Sequence, residues 1–394
     1  MTLNNTFKFY TGLLILFTGT PLQTFHVDNV QVKQEHAKHS ATHLDAQDFF
    51  KQATLPSLDH VTVCTDQKRL LHAAQDALHY LDVHNARAQI TNPEAFKDVF
   101  AVNDVKETLR FIIDTIKEDL ENGSQSRASS RDARDDKKSE FRLQDPDFLK
   151  KHFTCLRWKA DRESAESHNI PLPDNGKIRL TSYGILEIQG NKKKTANYPC
   201  ALYALHDDNV RTRFTKQQIL AGVFEKAPLK SKVTPLAWLS RQGLEDALMQ
   251  GTVIVTFTDS SRRMFNVDTH NNIPYDRSQK NVLAQKRYWF FRALKSSNGS
   301  FDAMFERMNR RKNVVFAGDL YSIGLGKVIA LVHKNPLTNK KEMHIGVLAD
   351  TGGAFVNNLY QLDLYGGVFK DKNALTYHLK QFPPFTRAMI LCKR

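Results

Sequence analysis

The chain has 394 residues, 41% of them hydrophobic and 25% charged, and 56 lysines and arginines stand against 42 aspartates and glutamates for a formal net charge of +14. This apolar content excludes a wholly disordered chain, and the length allows roughly two or three domains with a sizeable core. The basic balance favours a polyanionic partner (nucleic acid, anionic lipid or a carboxylate-rich polymer), and it bears on association rather than on fold.

Residues 9–18 form an apolar run behind Lys8. The run has about the length of a secretory h-region and roughly half that of a spanning helix. It reads as an export signal over residues 1–25, with a buried N-terminal strand as the competing reading, and no nearby cysteine could carry a lipid. Residues 26–60 are polar, rich in His, Gln and Asp, and read as a loosely packed lead-in. Leu70, Ala74, Leu78 and Leu81 recur at helical spacing and predict a helix over 67–83. A second helix is expected over 104–120, with Asp104 and Glu107 at N-cap and N3 spacing and Asn122-Gly123 as its stop. Residues 124–140 contain almost no apolar side chain, so a mobile insertion is expected over 122–141. A nucleic-acid-binding arm is disfavoured there by its aspartates and its lack of aromatics. Asp145-Pro146 has the form of an N-cap and first helical residue, and the helix it opens is expected to carry Phe148, Leu149, Phe153 and Leu156 toward Trp158.

From about Lys177 the pattern changes to short strands: 178–188, 198–203, 237–239, 248–250, 252–258 and 264–267. Residues 278–311 read as mixed and partly helical, and strands return at 314–316, 328–332, 344–348 and 387–392. The expected class is mainly β with N-terminal helices (α+β), one or two β-barrels with helices packed outside rather than a parallel βαβ sheet. Cys64, Cys155, Cys200 and Cys392 are scattered without a C-x-x-C pair, so zinc spacing is absent, while disulfides and free thiols both stay open. No metal cluster or cofactor loop is expected.

The chemistry-bearing signal lies near the C-terminus. An apolar run delivers Asp350 to Gly352-Gly353, and Leu362-Asp363-Leu-Tyr-Gly-Gly367 repeats the form. Asp350-Thr-Gly is also the form of an aspartic-protease half-site, but the chain has no second copy to share the proton. Asp319, in Ala317-Gly-Asp-Leu-Tyr-Ser-Ile-Gly-Leu-Gly326, is the third acidic site of this region.

Together these three segments resemble the C-terminal three-aspartate (3D) domain of the membrane-bound lytic murein transglycosylase A family, with its Asp-x-x-x-Ile-Pro-Leu-Gly, Asp-x-Gly-Gly-Ala-Ile and Asp-Ile-Tyr segments in that order. Upstream, Leu180-Thr-Ser-Tyr-Gly-Ile-Leu-Glu, Tyr198-Pro with Leu202-Tyr203, Phe214-Thr-Lys-Gln-Gln-Ile-Leu-Ala-Gly222, Leu236-Ala-Trp-Leu, Met249-Gln-Gly-Thr and Asn271-Asn-Ile-Pro-Tyr275 are similar to further family segments. The chain departs from the pattern at Tyr183-Gly184, at Val253 and at Gly324.

The resemblance covers residues 60–394 and implies a double-psi β-barrel catalytic domain over 61–190 plus 305–394. A second, β-barrel-like substrate domain is inserted at 191–304, with a sugar cleft between them. It implies cleavage of the MurNAc-β-1,4-GlcNAc bond of peptidoglycan with formation of 1,6-anhydro-MurNAc, with glycan strands as partner, no cofactor or metal, and residence in the periplasm or envelope, with peripheral association with the outer membrane or with cell-wall complexes. Asp363 is the implied acid and base, with Asp350 and Asp319 beside it. Thr181, Tyr183, Gln250, Gly251 and Tyr365 are the implied sugar-side residues. A non-catalytic peptidoglycan-binding protein of the same fold is the competing reading, and a nucleic-acid binder rests on net charge alone.

Overall fold

A computed structural model describes residues 46–394 except 84–87, 94, 95, 97, 98, 130–140, 277, 280, 295–299, 353, 354 and 356. The expected export signal, residues 26–45 of the lead-in and the centre of the expected insertion lie outside the described residues. In chain order the elements are α1 (Ala46–Phe49), β1 (Phe50–Ala53), β2 (Val61–Val63), α2 (Gln67–Val83), α3 (Ala88–Thr91), α4 (Val102–Ser129), α5 (Pro146–His152), β3 (Phe153–Trp158) and α6 (Arg162–Ser167). There follow β4 (Ile178–Asn191), β5 (Cys200–Leu205), α7 (Lys216–Leu220), β6 (Val233–Leu239), α8 (Arg241–Gln250), β7 (Thr252–Phe257), β8 (Arg262–His270) and β9 (Trp289–Ala293). The last are α9 (Phe301–Asn309), β10 (Val315–Ala317), β11 (Val328–Lys334), β12 (Lys341–Asp350), β13 (Gln361–Phe369), α10 (Lys372–Leu379) and β14 (Phe385–Lys393). The class is mixed α and β with sheet predominating. Among the described residues no helix is long and apolar enough to cross a membrane.

The chain divides into two compact bodies. The first holds the described residues up to Tyr183 together with Arg307–Gly367 and Thr376–Arg394. Its strands follow the order β1-β3-β14-β11-β12-β10-β13-β4, with β2 beside β12. Phe385 of β14 also pairs with Arg179 of β4, so β14, β11, β12, β10, β13 and β4 close into a six-stranded ring. Closure removes the exposed edges that an open sheet of this size would present. The strands of the ring are rich in aliphatic side chains, and Ile329, Leu331, Ile345, Val347, Leu348, Leu362, Leu364 and Ile390 are almost fully buried. Helix α2 packs on β12 and α4 on β14. Both present a continuous apolar stripe: Leu70, Ala74, Ala77 and Leu81 in α2, and Val105, Leu109, Ile112 and Ile116 in α4, each at 1% exposure or less.

The second body holds Gly184–Glu306 and Val368–Leu375. Its strands follow the order β5-β6-β4-β7-β8-β9, with β4 parallel to β7 and the other pairs antiparallel. The sheet curls enough that the Tyr288 hydroxyl, just before β9, donates to Ala201 O (2.8 Å) and accepts from Tyr203 N (3.2 Å) on β5.

Several expectations need correction. Helix α4 runs through Asn122-Gly123 to Ser129, so the expected stop does not stop it. A glycine costs a helix only about 1 kcal/mol, less than the turns already propagated supply. Its cap is shifted as well. Asp104 sits inside the first turn and accepts from Ala101 N (3.0 Å), the N3 side of a capping box rather than the N-cap. On the far side of the expected insertion, Arg142 is anchored to Asp119 through its backbone N–H (2.8 Å) and its Nε (2.6 Å).

Asp145 and Pro146 open α5 as expected, but the helix ends at His152, and Phe153–Trp158 is a strand flanked by β1 and β14. The predicted lead-in ends in β1, where Phe50 is buried against Trp158 and Phe96. Residues 248–250, predicted as a strand, are the last turn of α8, which is capped by Ser240 and closed by left-handed Gly251. Gly366-Gly367, expected as a turn, lies inside β13. All four cysteines are free thiols.

Gly346 sits in β12 where a Cβ would stand 2.7 Å from Val314 O and 2.8 Å from Phe316 Cε2. Gly346→Ala should therefore cost about 1–3 kcal/mol by overpacking the contact of β10 with β12. A urea melt would show it as a lower midpoint at unchanged slope, and an unchanged midpoint would contradict this packing.

Candidate active site

The acidic residues are brought together by strand pairing. Ala317, the last residue of β10, pairs with Asp350 of β12 on one side and with Asp363 of β13 on the other. Two strand spacings put the aspartate Cα atoms on the order of 10 Å apart. Beyond β13 lies β4, and contacts between these two strands run in step. Arg179 Nη1 donates to Gln361 Oε1 (3.2 Å), Thr181 Oγ1 donates to Asp363 Oδ1, and the Tyr183 and Tyr365 rings lie 5.4 Å apart. Each series of three has a spacing of two residues, which places its members on one face of a strand.

Asp363 is 2% exposed, in the middle of β13. Its Oδ1 also accepts from Gln361 Nε2 (2.9 Å), while Oδ2 takes no hydrogen bond from a described residue. Burial pushes its pKa up to about 6, against the opposing pull of the Gln361 hydrogen bond and the Arg179 charge. Removing the carboxylate from water penalises the charged form more than these two partners stabilise it. Gln361 is itself oriented. Its oxygen faces Arg179, so its amide nitrogen is left to face Thr181 Oγ1 (3.1 Å) and Asp363.

Asp350 ends β12, as its apolar run predicts, and is 1% exposed. It accepts from the Tyr183 hydroxyl (2.6 Å) and from Thr351 N (2.8 Å). Burial first, then the Asp350 charge, drives the Tyr183 pKa well above its ordinary value, so the phenol stays a donor. The Tyr365 hydroxyl is buried without a hydrogen-bond partner among the described residues. Asp319 is fully buried and saturated. It accepts from Tyr321 N, Ser322 N, Ser322 Oγ and Asn358 N at 2.9–3.1 Å. Such a set stabilises the charged, acceptor-only form and holds the turn after β10 in place.

The remaining sequence candidates lie in the second body. Gln250 ends α8, and its Oε1 accepts from Gly184 N (3.3 Å). Gly251 closes that helix at φ +76°, where its N–H donates to Ala247 O. Asn271 is saturated by backbone, donating to Phe214 O and Lys286 O and accepting from Tyr288 N. Near it is a pocket lined by Lys216, Glu245, Met249, Tyr275, Arg287 and Trp289, in which Lys216 and Glu245 form a buried ion pair (2.7 Å).

Sequence reasoning missed Gln361 and Arg179. Each stands two residues before a named candidate on the same strand face, so a period-2 reading outward from Asp363 and Thr181 would have found both.

A closed ring of strands with buried carboxyls on β12 and β13, either side of β10, defines the class of this site. No family model and no curated protein matches the chain in sequence. Solved structures do. The membrane-bound lytic murein transglycosylase from Agrobacterium tumefaciens superposes with a TM-score of 0.53 at 13% identity, over 88% of this chain and 98% of that one. E. coli MltA with bound chitohexaose gives 0.52 at 14%, over 88% and 94%. MltA from Neisseria gonorrhoeae gives 0.50 at 14%, over 87% and 91%. The chain therefore has an MltA-like lytic transglycosylase fold, and at these identities the likeness is one of fold.

The raised Asp363 pKa makes a prediction about stability. Below pH 3.8 the carboxyl is protonated in the folded and unfolded states alike, and its contribution to stability is fully present. As pH rises from 3.8 through about 6 the unfolded state ionises first, so the contribution is lost. At neutral pH the wild type should have lost roughly 3 kcal/mol relative to acid that Asp363→Asn does not lose. Parallel urea melts of the two proteins between pH 4 and 7 measure the difference, and curves of equal pH dependence would contradict the raised pKa.

Proposed function

We propose that this protein is a lytic transglycosylase, a lyase that cleaves the β-1,4 bond between N-acetylmuramic acid and N-acetylglucosamine in peptidoglycan and leaves a 1,6-anhydro sugar. The observation that carries the reading is Asp363, a buried carboxyl with one oxygen held by Thr181 and Gln361, the other without a described partner, and a pKa near 6. The fold shared with MltA structures, one of them holding chitohexaose, supports a glycan as substrate. In this reading the six-stranded ring is the double-psi barrel, the second body is the inserted substrate domain, and the protein works on glycan strands in the periplasm.

The chemistry needs one proton carrier. The Asp363 carboxyl protonates the glycosidic oxygen as the bond from that oxygen to the muramic C1 breaks. The muramic C6 hydroxyl attacks C1, and its proton passes to the Asp363 carboxylate, restoring the acid. No water is consumed, and this is why a second carboxylate to activate water is not required, as it is in a hydrolase. The C6 hydroxyl belongs to the same ring, and its high effective molarity replaces a bound nucleophile. Arg179 and Gln361 are positioning residues that fix the Asp363 rotamer. Asp350 holds Tyr183 against Tyr365, whose hydroxyl, without a partner among the described residues, would serve a sugar oxygen together with Thr181, while Gln250 and Gly251 belong to the sugar side. Asp319 holds the turn.

Incubation of purified sacculi with the full-length protein, followed by mass spectrometry, should yield anhydro-muropeptides. Asp363→Asn should lower the yield at least ~100-fold while circular dichroism and sacculus binding stay unchanged. Retained turnover in that variant would overturn the assignment, and binding without turnover in the wild type would identify a non-catalytic binder. The wild-type rate should also fall as pH rises above about 6, because the starting acid is then ionised.

A further inference from the structure

We propose that Cys64, Glu342 and His344, with His333 beside them, form a binding site for a zinc-type divalent transition-metal ion that is independent of the aspartate row. Cys64 is far from the other three in sequence, and the four residues are joined by strand register. His333 of β11 pairs directly with Glu342 of β12, and β2 runs parallel to β12 with Val63 opposite Met343. Cys64, the residue after β2, is fixed by donation of its N–H to Met343 O (2.9 Å). Cys64, Glu342 and His344 each offer a ligand atom, all within 4.8 Å of one another. Glu342 and Asp350 are eight residues apart on β12, so roughly 25 Å separates this cluster from the aspartate row.

The distances suit a metal. Zinc bonds of 2.0–2.3 Å in a tetrahedron place neighbouring ligand atoms about 3.3–3.8 Å apart. His344 Nε2 stands 3.4 Å from Glu342 Oε2, and His333 Nε2 stands 3.9 Å from the same oxygen. The thiolate and the carboxylate would together neutralise a doubly charged ion. Asn335 Nδ2 donates to both Glu342 oxygens (3.0 and 3.1 Å), the outer-shell support that orients a ligating carboxylate.

His333 supplies the second, independent observation. It is 6% exposed, yet neither of its ring nitrogens has a hydrogen-bond partner among the described residues. A buried imidazole left unsatisfied is costly, and such a group calls for an explanation. Its ring lies stacked on His344 (5.1 Å, 20°) and close to Phe382 (5.6 Å). This packing explains where the ring lies and leaves its nitrogens unused. A metal bound at Cys64, Glu342 and His344 would give one of them a partner. On binding, the metal displaces the Cys64 thiol proton to solvent, a sulfur–metal bond replaces the S–H bond, and no electron is transferred.

The test uses the full chain stripped with a chelator and titrated with Co²⁺ alone, then with Zn²⁺. The expected result is one Co²⁺ per chain with a thiolate-to-cobalt charge-transfer band that Zn²⁺ bleaches. Cys64→Ser, at an exposed position, should abolish the band and leave the circular dichroism unchanged, whereas Cys155→Ser should leave it intact. His333→Phe, which keeps a packed ring, should weaken Zn²⁺ binding about 10–100-fold. Absence of a saturable one-to-one band, or a band that persists in Cys64→Ser, would overturn the proposal.

Discussion

The candidate site depends on the pairing of one small residue. Ala317 sits on the short strand β10 with Asp350 opposite it on one side and Asp363 on the other. The next residue, Gly318, has no room for a Cβ, which would come within 2.9–3.0 Å of Leu362 and Leu348 from the two flanking strands. A larger residue at either point would spread β12 and β13 and separate the row of carboxyls. Ring closure then supplies the other wall, because β4 brings Arg179, Thr181 and Tyr183 alongside β13.

Three aspartates in one barrel have three different environments, and environment rather than residue type divides their roles. Asp319 accepts four hydrogen bonds and is a turn anchor. Asp350 is engaged by a phenol and a backbone amide and fixes the Tyr183 ring. Asp363 is buried with one oxygen unengaged by any described residue, and desolvation outweighs its partners. This last arrangement keeps a carboxyl able to carry a proton near neutral pH.

Much of the barrel was legible in the sequence because its strands are apolar runs bounded by polar turns, as at 328–332 and 344–348, and α2 because its leucines and alanines follow a clean helical period. What was not legible depended on long-range pairing. Gly366-Gly367 reads locally as a turn, yet β13 continues through both residues. Residues 248–250 are apolar enough for a strand, but the Ser240 and Gly251 caps decide for a helix. In the candidate site, Asp319, Asp350 and Asp363 carried motif signals, whereas Gln361 and Arg179 carried only their two-residue offsets. Glu342 and His344 carried only their two-residue offset, and Cys64 and His333 no signal, since register across β2, β11 and β12 brings them together.

Burial lets the carboxyl at position 363 hold its proton well above the ordinary carboxylate range. Carbon-13 NMR of protein labelled at the aspartate side-chain carboxyl, with Asp363→Asn used to assign the resonance, titrates that group directly. A midpoint near pH 6 is the expected result. A midpoint at or below about 4, the value of a solvated aspartate, would contradict the account.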